Sequence, residues 1–303
     1  MKQNDDLYAF FQKFPDEKSC RTYLETMLWR GGKPVCPHCK NTQKIYRHKN
    51  GKLFTCGDKE CGKQFQITTN TIYQNSNLPL QKWFLAFYLL STNKKGMSSI
   101  QLSKALGITQ KSAWYLAHKM RYMLMTKTMQ KPLSRIVEVD ETYVGGRGRR
   151  GSKRGRGSQN KTPVFGMLQR GGELIIMPVA DTKRATLEPL IFKNVNQGSK
   201  IMSDEWWAYR HLKRKNYRHE TVNHGSKEYV RGNVHVNSLE GAWSLLKRSF
   251  RGIYHRPSRE HLDKYCAEFQ FKYNTRHLNE LQRFGSVVAK SSKIRLRNKN
   301  IVK

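Results

Sequence analysis

The spacing of apolar residues changes character along the chain. From Pro79 to Met125 it is helical. PLQKWFLAFYLL is apolar almost throughout, and IQLSKAL and AWYLAHKMRYMLM return an apolar residue at every third or fourth position. From Ser134 onward the period shortens to two. SRIVEVDETYV alternates apolar and polar side chains, TPVFGMLQR and ELIIMPVA flank a Gly-Gly turn at 171–172 as a hairpin does, and KIMSD and HETVNHG read as short strands. Helical spacing returns in TLEPLIFKNV, EWWAYRHLKRKN, HVNSLEGAWSLLKRSF and SREHLDKYCAEFQFKYNTRH.

This second half therefore runs three strands, helix, strand, helix, strand, helix. That is the element order of the ribonuclease-H-like fold, in which functional side chains gather at strand ends. The chain as a whole reads as a multi-domain α/β protein. An N-terminal helical segment (1–30) precedes a cysteine-rich module (33–70), a helical module (79–128), a ribonuclease-H-like domain (133–282) and a basic tail (283–303).

The cysteines identify the second module. Cys36 and Cys39 have two residues between them, and Cys56 and Cys61 four, so each pair makes a knuckle that turns both thiolates to one ion. An Asn-Gly turn at 50–51 between the knuckles and FQITT after them predict hairpin strands, hence a zinc ribbon with structural Zn2+. His38 and His48 read as exposed polar residues, Cys20 and Cys266 as plain buried thiols.

In the helical module, Ser98 or Ser99 caps IQLSKAL, Gly107 stops it, and Thr109 caps the next helix. A short helix, a glycine turn and a capped second helix predict a helix-turn-helix, with Lys111, Ser112, Tyr115, His118 and Lys119 within reach of DNA.

Charge changes the picture most. Fifty-seven Lys and Arg against twenty-two Asp and Glu give a net charge of +35, which repels itself unless a polyanion neutralises it. Double-stranded DNA fits. A membrane does not, because WFLAFYLL at 83–90 is too short to span one. The acidic N-terminus lacks a signal layout, which predicts a cytoplasmic, nucleoid-associated protein. The stretch 145–161 holds seven basic residues and no apolar one. It predicts a flexible loop whose Arg147, Arg149, Arg150, Lys153, Arg154 and Arg156 follow a DNA backbone without reading sequence.

Against that excess of cations, the carboxylates are informative. Asp140 lies on the first strand of the domain, and Asp204 ends its fourth strand. Two such side chains can share hard divalent ions, and a pair of ions clamps the attacking and leaving oxygens of a phosphodiester displacement. Glu138 shares the face of Asp140 and competes as a ligand, while Glu141 points the other way. Asp204 also suits an N-cap of the helix starting EWW. Glu240, separated from Asp204 by 35 residues, supplies a third arm. Lys247 follows on the same helical face beside Arg248, where both can touch phosphate. Asn237 and Glu240 also have capping-box spacing, and the two roles combine if Asn237 starts the helix while Glu240 turns to the strands. His235 is a candidate support, and Trp206, Trp207 and Trp243 read as core.

Together, the zinc ribbon, VEVDETYVGG, SDEWWAY and HVNSLEGAWSLLKR resemble the IS1595 (ISXO2-like) DDE transposases over roughly residues 20 to 280. The resemblance implies an enzyme that binds the terminal inverted repeats of an insertion sequence. Such an enzyme cuts at the element ends and joins 3′-hydroxyls to target DNA with Mg2+ or Mn2+, as a homodimer or larger assembly on DNA. It places Asp140 and Asp204 at the first two catalytic positions and leaves the third to Glu240 or Asn237. The rival readings are a non-catalytic zinc-ribbon regulator and a structure-selective nuclease on the same fold.

Overall fold

The computed structural model describes residues 6–29, 31–126, 131–145, 161–222, 230–292 and 294–296. The chain divides into two compact units, 1–123 with 277–303, and 124–276. Among the described residues no helix is long and apolar enough to cross a membrane.

The first unit holds α1 (Leu7–Lys13), α2 (Glu17–Leu28), the strands β1 (Ile45–Arg47), β2 (Leu53–Cys56) and β3 (Gln64–Gln66), then α3 (Leu80–Thr92), α4 (Ser99–Leu106) and most of α5 (Gln110–Met125). The three strands make an antiparallel sheet in the order β1-β2-β3. The third strand ends earlier than FQITT predicts, because the Thr69 hydroxyl takes the Gln66 N–H and turns the chain. Ser98 caps α4 with a reciprocal bond to Gln101, and Gly107 closes it in the left-handed region at φ 58°. Thr109 accepts the Ser112 N–H at 3.2 Å to open α5.

The expected basic tail from 283 is in fact a helix over its first part. Residues Glu280–Ser291 form α9, opened by a capping box between Asn279 and Gln282. Phe284, Val287 and Val288 recur at helical spacing and are buried, and Phe284 meets Phe10, Phe14 and Phe84 ring to ring. The basic residues between them hid that stripe. The C-terminal segment thus belongs to the first unit.

The second unit is a five-stranded sheet in the order β6-β5-β4-β7-β8, built from β4 (Ile136–Val144), β5 (Thr162–Gln169), β6 (Leu174–Pro178), β7 (Lys200–Ser203) and β8 (Arg218–Thr221). The first three strands pair antiparallel, and β7 and β8 run parallel to β4. Helix α6 (Arg184–Asn194) covers one face, through Leu187 and Ile191 against Val137, Val139, Phe165 and Ile201. Helices α7 (Asn237–Ser249) and α8 (Leu262–Asn274) cover the other, through Leu239, Trp243, Leu246, Cys266 and Phe269 against Val164, Leu168, Leu174 and Ile176.

The helix expected over EWWAYRHLKRKN does not form. Two 3-10 turns, Trp207–Tyr209 and Leu212–Lys215, replace it. The Asp204 side chain takes the Trp206 N–H at 3.0 Å, which competes with helical pairing, and the turns bury Ala208, Tyr209 and Leu212.

Candidate active site and metal cluster

Alternation along β4 decides which side chains meet. Glu138 and Asp140 point to the α7 face, while Glu141 points to the other and accepts the Tyr209 hydroxyl. Asp140 pairs across the sheet with Gly166. A Cβ on Gly166 would lie 2.5 Å from the Trp243 ring and 3.1 Å from Leu239. The missing side chain is what lets the indole settle there, and its Nε1 donates to Asp140 Oδ2 at 3.0 Å. Gly166→Ala should therefore cost about 1–3 kcal/mol by overpacking. It should also move one indole N–H resonance; an unmoved resonance would mean the contact is absent in solution.

Burial pushes the Asp140 carboxyl up to about 7, and the nearby charges of Asp204 and Glu240 add to the rise; the Glu141 N–H and the Trp243 indole pull against it. Asp140, Asp204 and Glu240 thus share one electrostatic neighbourhood. Among the described residues no Lys or Arg forms an ion pair with any of them, in a chain where cations outnumber acids by more than two to one. Like charges in one neighbourhood, offering only oxygen donors, suit hard divalent ions, although among the described residues only Cys36, Cys39, Cys56 and Cys61 already bring three or more ligand atoms close enough together to hold one.

Glu138 does not compete for that role. It is 0% exposed and accepts from Arg170 Nε at 2.7 Å, Ser238 Oγ at 3.1 Å and the Leu239 N–H at 2.9 Å. Leu239 is the third residue of α7, so Glu138 does from a neighbouring strand what an N-cap side chain does locally. Its negative charge also suits the helix N-terminus. Arg170 also donates to the carbonyls of Asn233 and His235, at 2.7 and 2.8 Å.

This arrangement corrects the capping-box reading. Asn237 is the first residue of α7, exposed, with Val236 in the cap position and no side-chain cap bond. Glu240 is exposed in the first turn and does not reach back. His235 is held by Arg170 at 3.0 Å, beside Glu138. Neither Glu138 nor Arg170 was legible as a helix anchor, since the contact joins residues 101 positions apart. Glu138→Ala should cost about 3–5 kcal/mol, because it strands a largely buried guanidinium. Asn237→Ala should stay within about 0.5 kcal/mol. Urea unfolding of both variants checks the contrast, and equal losses would refute it.

Lys247 and Arg248 are exposed on α7. In α5, Lys111 is exposed and Ser112 and Tyr115 are half-buried. His118 is fully buried against the Trp114 ring, and the Lys119 ammonium lies over the Trp83 ring at 5.5 Å, so neither faces outward as expected. Both follow from α5 burying a wider stripe than Ala113, Leu116, Ala117 and Met120 alone indicate. Arg147, Arg149, Arg150, Lys153, Arg154 and Arg156 lie outside the described residues. Trp243 is core, but Trp206 and Trp207 are 37% and 48% exposed.

The sulfurs of Cys36, Cys39, Cys56 and Cys61 lie within 4.8 Å of one another. Cys36 and Cys61 are 3.8 Å apart, Cys39 and Cys56 3.5 Å. Four ligands at a Zn–S distance of about 2.3 Å require edges of about 3.8 Å, so the four thiols fit one tetrahedral zinc. Burial works against the Cys36 thiolate, but the N–H groups of Cys39 and His38 outweigh it and bring it down to about 7. His38 is exposed and His48 bonds Thr55 at 2.8 Å, outside the cluster. Cys20 and Cys266 are buried, with burial pushing the Cys20 thiol up to about 12 and Cys266 higher still.

Comparison with known proteins finds two families. The ISXO2-like transposase domain matches residues 132–274, and the transposase zinc-ribbon domain matches residues 15–64. A protein in transposable element ISH50 of Halobacterium salinarum is 30% identical over 280 residues, 86% of this chain and 91% of that protein. Among solved structures, a pre-cleavage Mos1 transpososome aligns with 70% of this chain and 80% of that one at 13% identity and TM-score 0.27. The Mos1 strand transfer complex aligns with 70% and 79% at 13% identity and TM-score 0.30. Likenesses that loose have no bearing on function.

Proposed function

Since this chain belongs to the ISXO2-like transposase family, we propose that it binds the terminal inverted repeats of an insertion sequence, cleaves the element ends and joins their 3′-hydroxyls to target DNA. The observation that carries the proposal is that Asp140, raised to about 7 chiefly by burial, also feels the charges of Asp204 and Glu240, while among the described residues no Lys or Arg forms an ion pair with any of the three. On this reading the second unit is a ribonuclease-H-like core, supported by its strand order and directions.

Asp140, Asp204 and Glu240 would hold Mg2+ or Mn2+. When bound, such ions supply Lewis acidity to the attacking and leaving oxygens of the phosphodiester. The protein's part is orientation. Trp243 holds one oxygen of Asp140, the Trp206 N–H holds one oxygen of Asp204, and the Glu138–Arg170 pair fixes the start of the helix that carries Glu240. Asn237 lies three residues ahead of Glu240 and takes no part.

The four-cysteine cluster would hold structural Zn2+ in the ribbon. Helices α4 and α5, joined at Gly107, would act as a helix-turn-helix with Lys111, Ser112 and Tyr115 toward DNA. Lys247 and Arg248 would meet phosphate, as would the arginine-rich stretch after Gly145. Cutting two ends in concert calls for a dimer or larger assembly on DNA.

The test uses an end-labelled duplex carrying the element's terminal repeat, a supercoiled plasmid and Mg2+. Label joined to the plasmid is the expected product. Cutting without joining would indicate a structure-selective nuclease, and binding without cutting a regulator.

A further inference from the structure

We propose that Trp206 and Trp207 form a stacking platform for an unpaired nucleobase of the DNA end, an inference that rests on the nucleic-acid function above. Burying these indoles would be the ordinary outcome for EWWAY, yet the fold buries the next two residues instead. Ala208 and Tyr209 are 3% and 1% exposed, while Trp206 and Trp207 remain 37% and 48% exposed. The turn is anchored from beneath and its aromatic surface faces out.

The Trp206 ring is also held in place. The Trp206 N–H donates to Asp204 Oδ1 at 3.0 Å, and its indole Nε1 donates to the Thr182 carbonyl at 2.9 Å. The two ring centroids are 6.1 Å apart at an interplanar angle of 50°, so the rings do not cover each other's faces. A prepositioned indole binds without the ordering cost of a mobile one.

Charge identifies the occupant. Lys183, next to Thr182, and Arg210, next to Tyr209, are both exposed. Exposed aromatic faces on a segment whose exposed neighbours are two cations and one acid, Glu205, match a single strand, whose bases stack while its phosphates pair with Lys and Arg. A base within a duplex has both faces covered, so the platform fits only a base splayed from its neighbours. Trp206 and Trp207 follow Asp204 by two and three residues, which puts such a base beside the scissile phosphate.

The experiment uses the full chain without added magnesium and two hairpin duplexes, one blunt and one with a five-nucleotide single-stranded overhang carrying 2-aminopurine. The wild-type chain is expected to bind the overhang more tightly and to quench the 2-aminopurine. Trp207→Ala should weaken overhang binding about tenfold, since one stacked base is worth about 1–3 kcal/mol. Blunt-duplex binding should not change, and Trp207→Phe should recover most of the loss. Trp207→Leu, which keeps apolar bulk without a ring face, serves if the alanine chain melts early, and it should lose the same selectivity. Equal weakening on both duplexes, no weakening, or no recovery by phenylalanine would overturn the platform. Lost overhang selectivity together with undiminished end cleavage by Asp140→Ala would leave the platform standing and remove the carboxylate assignment. Intact selectivity with cleavage abolished by Asp140→Ala would do the reverse.

Discussion

Without divalent cation, Asp140→Asn is expected to melt at a higher temperature than the wild-type chain at neutral pH, and it is expected to lose cleavage of a labelled DNA end. The two effects share one cause. Burial and the charges of Asp204 and Glu240 raise the Asp140 carboxyl to about 7 from its ordinary value of 3.8. The folded state therefore holds this proton more tightly than the unfolded chain does. The stability linked to it is complete below about pH 4 and is lost as pH rises toward 7. Each tenfold change in proton affinity is worth about 1.4 kcal/mol, so ionising this carboxyl costs the fold a few kcal/mol, less what water screens at a half-buried side chain.

Asparagine keeps an oxygen for the Trp243 indole and carries no charge to repel its neighbours. Its advantage should vanish below pH 4. Mn2+ should raise the melting temperature of the wild-type chain and leave that of the variant nearly unchanged. Cleavage should fall by more than about 100-fold, the upper range for losing a mere outer partner of a metal ligand. Glu240→Gln should lose cleavage likewise while keeping end binding, and Asn237→Ala should keep both. Equal melting of Asp140→Asn and wild type at pH 7.5, or surviving cleavage, would refute the carboxylate assignment.

What the sequence discloses depends on whether a contact is local. The ribbon knuckles, the Ser98 and Thr109 caps and the Gly107 stop are each read from residues a few positions apart; the caps and the stop have their partners there, and the two knuckles find each other across the ribbon. The strand segments of the second unit are legible for the same reason, because alternation and turn residues are also local signals, whereas the pairing of β4 with β7 joins residues more than sixty positions apart. The start of α7 is different. Its anion comes from Glu138 on β4, and no spacing within VHVNSLEGAW announces that. The local capping-box pattern misleads for the same reason: a buried carboxylate already occupies the cap. EWWAYRHLKRKN fails as a helix because the Asp204 side chain and the burial of Tyr209 and Leu212 outweigh propensity. Gly166 carries no signal beyond being glycine on a strand, and only the pairing with Asp140 and the approach of Trp243 give it meaning.

Stripping zinc should unfold residues 33–70 and leave the second unit folded. The ribbon's strands have three, four and three residues, and its buried side chains are few: Cys36, Phe54, Cys56, Phe65 and Ile67. So small a core cannot offset the chain entropy of ordering it. Structural zinc contributes about 10–16 kcal/mol in comparable modules, more than so few buried side chains can supply. Its removal also leaves four crowded thiols, two pairs of them at 3.5 and 3.8 Å.

Hydrogen exchange reads this directly. The Cys56 N–H bonded to Lys63 and the Gly57 N–H bonded to Lys44 should lose protection after chelation. Amides of β4 and β5 should keep theirs. Cys39→Ser should reproduce the loss, and Cys266→Ala, in the second unit, should leave one zinc per chain. Protons compete with the metal for thiolates, so zinc should also leave as pH falls. Full protection of the ribbon amides after chelation would mean that packing, not metal, holds the module together, and the four-thiol assignment would lose its structural role.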